Sequence, residues 1–243
     1  MPMLDLPVDF PLVAFVTEVS PNDEMFDFSE HYVSTALSAL KLLDYAVEQG
    51  LVRPNPQNLL DLPCGHGRVA RVLRSRFPHA DLTVCDLNRD GVDFCASRFD
   101  ARGIYGTDDL DTINLNQIFD IIWVGSLITH LNQNNTVKFI RSMQRHLSVD
   151  GLLIMSSHGT FVSSQMRAGD SYNLDYRQMK ILLCEYDTLG YGYQDYPQQA
   201  GYGISIISRQ WFEVFFAGES YGIVAYLEHE WDGHHDILYI KKK

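Results

Sequence analysis

Two acids, two glycines and two histidines are spaced along this chain as groups that can hold a ligand and move a proton. Asp61 precedes a glycine pair, Gly65 and Gly67, in the run DLPCGHGR (61–68), and a second acid, Asp86, follows. His130 and His158 stand just after two apolar runs. Glycines let a backbone approach a ligand closely, and the free N–H groups of a helix start attract polar or anionic groups. An acid at the end of the next strand, roughly 20 residues on, is placed to take ribose hydroxyls. Imidazoles titrate near neutrality, which suits either histidine as a proton acceptor.

These residues need strands and helices to carry them, and the hydrophobic pattern supplies both. Residues 1–28 read as an irregular arm with prolines at 2, 7, 11 and 21. A helix capped by Ser29 is expected through Gln49, with Leu37, Leu40, Leu43 and Ala46 recurring every three residues and Gly50 ending it. Strands are expected at 58–62, 81–87, 103–106, 119–127 and 151–157. Helices are expected at 67–77, 90–99 and 136–147, with SVDG (148–151) a turn. In the 67–77 helix, Val69, Val72 and Leu73 share one face and the arginines the other. Near-continuous apolar strands alternating with helices indicate a doubly wound parallel sheet covered on both faces. The tail breaks this rhythm, with one helical stretch near 175–188. A helix capped at 208 ends at Gly218, and residues 221–243 form a hairpin turning near Asp232–Gly233.

The glycine corner alone fits two ligands. Residues 65–70, GHGRVA, also match the G-x-G-x-x-A pattern of dinucleotide folds, so an NAD(P)-dependent oxidoreductase is one reading. A glycine turn without a ligand, in a binding or assembly module, is another. Three features favour a different cofactor. A carboxylate at Asp61 is costly to bury without a partner; a cofactor ammonium or a loop amide supplies one, and a pyrophosphate does not. A long helix precedes the first strand. The chain ends in a hairpin.

These features together resemble the class I S-adenosylmethionine-dependent methyltransferases. DLPCGHGR is similar to their motif I, an acid followed by x-G-x-G-x-G, and includes Arg68. Asp86 and Leu87 in VCDLN resemble the ribose-binding acid and its neighbour. TDDL (107–110) resembles the segment that brings an acid, Asp108 or Asp109, to the adenine edge. FDIIWVGSLITHL (119–131), with Gly125 and Ser126, resembles the strand-four motif. The resemblance covers about residues 30–160 and 208–243. It implies a single Rossmann-like domain with sheet order 3-2-1-4-5-7-6 and strand 7 antiparallel. Residues 1–57 are then an N-terminal extension, 58–159 the cofactor-binding core, 160–207 a substrate-side insertion, and 208–243 the last helix and hairpin. It implies S-adenosylmethionine as methyl donor and a small-molecule acceptor, methylated on oxygen or nitrogen. SSHG (156–159), YGISIIS (202–208) and the terminal hairpin are similar to bacterial small-molecule members, which points to a sugar or secondary metabolite. One departure stands in motif I. Pro63 occupies the first glycine position, where a fixed φ and a missing N–H weigh on cofactor affinity.

Open α/β sheets bind ligands at the carboxyl ends of their strands, which selects His130 and His158 as candidate bases. Tyrosines 172, 176, 186, 191, 193 and 196 either line an acceptor site or pack the insertion. Tyr32 is a candidate to close over the cofactor. His229, His234 and His235 cluster at the hairpin with several acids, but strand alternation is expected to send His234 and His235 to opposite faces, so no metal is expected.

Composition bounds the remainder. A formal charge of −12, from 31 acids against 19 lysines and arginines, repels phosphate backbones and anionic membranes. Cys64, Cys85, Cys95 and Cys184 form no C-x-x-C pair, which disfavours a zinc–thiolate site and fits free thiols in a reducing compartment. No targeting or spanning segment is evident, so a cytoplasmic location is expected. The oligomeric state is left open.

Overall fold

The computed structural model describes residues 1–6, 10–11, 14–109, 113 and 115–243. Pro7 of the arm and Leu110 of TDDL lie outside them. Seven strands hydrogen-bond in the order β3-β2-β1-β4-β5-β9-β8. They are β1 (Asn58–Asp61), β2 (Asp81–Asp86), β3 (Arg102–Tyr105), β4 (Phe119–Val124), β5 (Leu147–Ser157), β8 (Tyr221–Trp231) and β9 (His235–Lys242). A separate pair joins β6 (Tyr191–Tyr196) to β7 (Gln199–Ile207). β9 runs antiparallel to both β5 and β8, so the sheet has the expected order with a reversed last strand. No helix among the described residues is long and apolar enough to cross a membrane.

The chain divides into two compact units. The first comprises Met1–Trp123 and His146–Leu152. In it β1 pairs in parallel with β2 and β4, and β2 with β3. β4 is buried along its whole length, as its FDIIWV run requires. Three helices belong here: α1 (Ser29–Glu48), α2 (Ala70–Arg76) and α3 (Arg89–Arg98). Asp120 on β4 is held by the Gln57 and Asn58 N–H groups, Arg53 and Ser148. Burial pushes its carboxyl up, but these hydrogen bonds overcome that and hold it below the usual range.

Several local expectations are corrected here. Ser29 does not cap α1; Phe28 is the N-cap, with no side-chain capping hydrogen bond. The helix expected from residue 67 begins at Ala70, because 67–69 are drawn into the tight loop before it. SVDG lies within β5 rather than in a turn. The arm is not irregular throughout. Leu4 and Val19 are buried against Tyr32 and Val33, and a bridge pairs Met3 with Glu18. The arginines of α2 are not all solvated. Arg71 is fully buried, donating Nε–H to the Gly67 carbonyl (3.0 Å) and Nη1–H to those of Val16 (2.8 Å) and Glu18 (3.1 Å). Its guanidinium also lies over the Phe15, Tyr32 and Phe99 rings.

The second unit comprises Val124–Arg145 and Leu153–Lys243. It contains α4 (Gln133–Arg145), α5 (Thr160–Ala168), α6 (Tyr176–Leu189) and α7 (Arg209–Ala217). α6 begins with a capping box between Asp175 and Gln178, and Ser208 caps α7 as expected. The sequence reading missed α5 and the β6–β7 pair. Val162 and Met166 of α5 pack with Leu174, Leu182, Ile204 and Ile206 into a core of their own. β9 registers Asp236 opposite Ser157 on β5, and β8 bulges between Leu227 and Trp231.

Candidate active site

In the first unit the turn after β1 is fastened from both strands. The Leu62 N–H donates to the Trp123 carbonyl and the Cys64 N–H to the Cys85 carbonyl, both at 3.0 Å. The amides flanking Pro63 are therefore committed within the sheet, and Pro63 lacks a donor at a point where its neighbours already anchor the chain. The Leu62–Pro63 peptide is cis. Gly65 and Gly67 both adopt positive φ, +49° and +87°. At Gly67 a Cβ would collide with the Phe99 ring, so glycine is required there; at Gly65 the space a Cβ would take is open.

Two carboxylates close this corner. Asp86 accepts the Gly65 N–H at Oδ2 (2.7 Å) and the Asn88 N–H at Oδ1 (2.9 Å). Asp61 is buried and takes the Ala70 N–H at the start of α2. Its Oδ2 has no hydrogen-bond partner among the described residues. Burial, then the charge of Asp86, holds the Asp61 carboxyl well above the usual range. Leu87 is 59% exposed, an apolar side chain left uncovered beside Asp86. Arg68 is half-buried over the Tyr32 ring. Asp108 and Asp109 are exposed in their own loop.

In the second unit His130 and His158 are both caught by β7. Carbonyls only accept, so the Nδ1–H of His130 donates to Gly203 (2.8 Å) and that of His158 to Ser205 (3.2 Å). In the neutral rings Nε2 then carries the lone pair. Their surroundings differ. His130 is half-buried, stacked on Tyr202 at 4.8 Å with Tyr196 at 6.0 Å, and burial lowers its pKa. His158 is buried, and desolvation, then nearby His234 and His130, push it down to about 3. Gly125 and Ser126 also belong to this unit. Ser126 has a φ of +55°, and its N–H donates to Ser156 Oγ at 2.7 Å.

Comparison with known proteins shows what this chain is similar to. Residues 60–153 match the family model described as a methyltransferase domain. A malonyl-acyl-carrier-protein O-methyltransferase of Bacillus cereus is 25% identical over 50% of this chain and 45% of its own length. The chain spans about half the length of the curated relatives it matches. An S-adenosylmethionine-dependent methyltransferase of Clostridium acetobutylicum is similar in fold, at 15% identity and TM-score 0.58, covering 86% of this chain and 92% of that one. So is an S-adenosylmethionine-bound amino pentose methyltransferase of Micromonospora echinaspora, at 16% identity and TM-score 0.58, covering 87% and 92%. The chain thus carries a stretch similar to a methyltransferase domain, within the fold of the S-adenosylmethionine-dependent methyltransferases.

The cofactor of this superfamily suits the corner on three observations. The orphaned Asp61 Oδ2 is a site for a cation, which the donor's ammonium provides and a dinucleotide pyrophosphate does not. The space beside Gly65 admits a ligand against the backbone. Exposed Leu87 beside Asp86 offers an apolar face next to a carboxylate. The nicotinamide reading loses its support on the same ground.

Other polar residues near this corner were not legible in the sequence. His66, in motif I, is buried and donates Nε2–H to Asp90 (2.9 Å), while Asn22 donates to the same carboxylate (3.0 Å). These residues border a cleft of about 600 Å³ lined by Pro21, Asn22, Asp23, Glu24, Asn88 and Asp90. Tyr32 is not a cover: it is fully buried and its hydroxyl donates to Asp23 (2.7 Å). Of the six tyrosines singled out, Tyr191 is structural, donating to the Leu131 carbonyl at 2.8 Å, and Tyr176 is exposed. Tyr172 and Tyr196 lie beside His158 and His130. Tyr202, which the sequence did not mark, is the ring closest to His130.

The expectation that His234 and His235 diverge is overturned. His234 sits in the turn, not on a strand, so alternation does not govern it. Asp232 and Gly233 take positive φ, and the two histidine rings come to 4.9 Å from each other. Both meet His158, His235 stacking on it at 4.9 Å and His234 edge-on at 5.5 Å.

Proposed function

We propose that this chain transfers the methyl group of S-adenosylmethionine to an oxygen or nitrogen of a small molecule, a sugar or secondary metabolite, with His130 as proton acceptor. The observation that carries the donor assignment is the corner in which Asp86 fixes the Gly65 amide while Asp61 keeps an unpaired buried oxygen. In this reading Asp61, Pro63, Gly65, Gly67 and Arg68 surround the methionine part. Asp86 takes the ribose hydroxyls, Leu87 packs the adenine, and Asp108 or Asp109 meets the adenine edge. Gly125 and Ser126 are the remaining residues that the resemblance selects. The named acceptor of one protein of similar fold, an amino pentose, supports a small acceptor of this class, whereas the curated relatives act on a malonyl group held by a carrier protein.

When bound, the donor supplies a sulfonium-activated methyl carbon and leaves as a neutral thioether. The protein therefore needs no strong electrophile; alignment and exclusion of water carry much of the rate. The remaining step is removal of the acceptor's proton. His130 suits it: its tautomer is set by Gly203, Nε2 holds the lone pair, and burial keeps the ring neutral. His158, the other candidate, is too weak a base at about 3 to hold a proton near neutrality. Tyr202, stacked on His130, offers the acceptor a rigid face with a polar tip.

Titration calorimetry with S-adenosylhomocysteine tests the donor assignment. Binding by the wild type, weakened on the order of 100-fold in Asp86→Ala, is expected. Undiminished binding in that variant overturns the assignment. A non-catalytic module predicts binding without turnover across a broad acceptor panel.

A further inference from the structure

We propose that His158, His234 and His235 bind one divalent late-transition ion, Zn²⁺ by preference, leaving one coordination position for a donor atom of the acceptor. The second half rests on the methyl-transfer reading above; ion binding itself does not.

Three observations carry the site. One ligand atom from each ring lies within 4.8 Å of the others. A tetrahedral ion with Zn–N bonds of about 2.05 Å holds its nitrogens about 3.3 Å apart, so the rings need only a modest approach. Second, the rings come from two directions onto one point. His158 follows β5, and the turn between β8 and β9 brings the other two. That turn is built for the purpose. His229, Asp232 and Gly233 all adopt positive φ, and Asp236 clamps its base by accepting the Tyr226 hydroxyl (2.6 Å) and the His229 N–H (2.9 Å). The Asp236 carboxylate also fills the space a Cβ would need at Gly159, so glycine beside His158 lets the two segments meet.

Third, the donor chemistry is that of a metal ligand. His158 gives its Nδ1–H to the Ser205 carbonyl, and the Ser205 hydroxyl is itself tied to Ile128 (2.7 Å). A ligating histidine characteristically spends its second nitrogen this way, which fixes ring and tautomer. Three neutral imidazoles suit zinc, copper, iron or nickel rather than magnesium or calcium. Three protein ligands also leave the fourth position open, as in catalytic zinc sites. Tyr172 and Phe161 rings border His234 and Trp231 borders His235, giving the ion a largely apolar shell.

This separates the two histidines first considered as bases. His130 keeps the proton transfer, and His158 becomes a ligand that orients the acceptor.

The test uses the full chain, stripped with a chelator and titrated with Co²⁺. One equivalent producing a visible d–d absorption, displaced by Zn²⁺, is expected. His234→Ala and His235→Ala should each weaken Co²⁺ binding by at least about tenfold, a lower bound set by the effect of losing even an outer partner. The exposed His79→Ala should leave it unchanged. Because His158→Ala risks the fold, the two turn variants carry the argument, with circular dichroism confirming their folding. A folded wild type that gives no d–d band, or unchanged affinity in both turn variants, overturns the site. Homocysteine-nucleoside binding, measured separately by calorimetry, reports on the methyltransferase reading. If that persists while Co²⁺ fails to bind, only the metal inference falls.

Discussion

The two units hold their chemical groups by different means. In the first, the motif I corner is locked by backbone amides and buried charge. Asp86 takes Gly65 and Asn88, Asp61 takes Ala70, and Arg71 ties the Gly67 carbonyl to the N-terminal arm. In the second, rings touch rings. His130 stacks on Tyr202, His158 on His235, and Phe161 on His229. A corner built on amides tolerates few side chains, since each contact needs a fixed backbone. A ring-lined region can exchange rings and keep its frame, because β7, β8 and β9 are held by their own ladders. The first arrangement suits a cofactor of one shape. The second suits a ligand of less fixed shape.

The same substitution in each unit puts this contrast to its hardest test. Gly67→Ala meets a φ of +87° and the Phe99 ring. Backbone strain and overpacking together should cost about 4 kcal/mol. Gly169→Ala also meets a positive φ, +113°, at the end of α5, but with nothing near the added methyl. About 1 kcal/mol is expected there. Urea unfolding of the two variants measures both, and equal losses would remove the distinction between a locked corner and an open one.

Binding and turnover should separate along the same line. Asp86→Ala loses a carboxylate that holds two loop amides, each charge-assisted bond being worth roughly 1.5–3 kcal/mol. S-adenosylhomocysteine affinity should fall on the order of 100-fold. His130→Phe should leave that affinity intact and lower kcat by about 100-fold or more at neutral pH. Loss of cofactor affinity in His130→Phe, with kcat unchanged, would contradict the division of labour.

Much of the fold was legible because parallel strands buried on both faces read as apolar runs; FDIIWV in β4 is the clearest case. The reversed terminal hairpin was legible from its turn residues. The misses have specific causes. α5, TFVSSQMRA, buries only Val162, Ser163 and Met166, too sparse a stripe to stand out. β6 and β7 are rich in tyrosine and glycine and read as loop. Arg71 resembles the half-buried arginines near it in type, and its contacts with Val16 and Glu18, more than 50 residues away in sequence, are not readable from local pattern. The histidine cluster was missed because strand periodicity was extended through a turn. The corner after β1 was accessible from local spacing, whereas the second unit's groups meet only through tertiary structure.

The smallest effects concern the two buried acids of the first unit, and their signs are opposite. Asp120 is held below the ordinary carboxylate range by its hydrogen bonds with Arg53, Gln57, Asn58 and Ser148, which outweigh burial. The unfolded state then binds more protons in acid. Its stabilisation is full above the ordinary carboxylate pKa and is lost as pH falls through the lower folded value. Asp61 is raised instead, by burial and then by Asp86. Its contribution is present below the ordinary pKa and is lost as pH rises through the folded value. Near neutrality Asp61 therefore weighs against the unliganded fold. Asp61→Asn keeps an oxygen for the Ala70 amide and removes the charge. It should raise stability at pH 7 by on the order of 1 kcal/mol while weakening S-adenosylhomocysteine binding, the exchange expected of a group retained for function. Melting curves at pH 5 and pH 7 check it, the gain being larger at pH 7. A variant that melts lower than wild type at pH 7 would mean that Asp61 serves the fold rather than the cofactor.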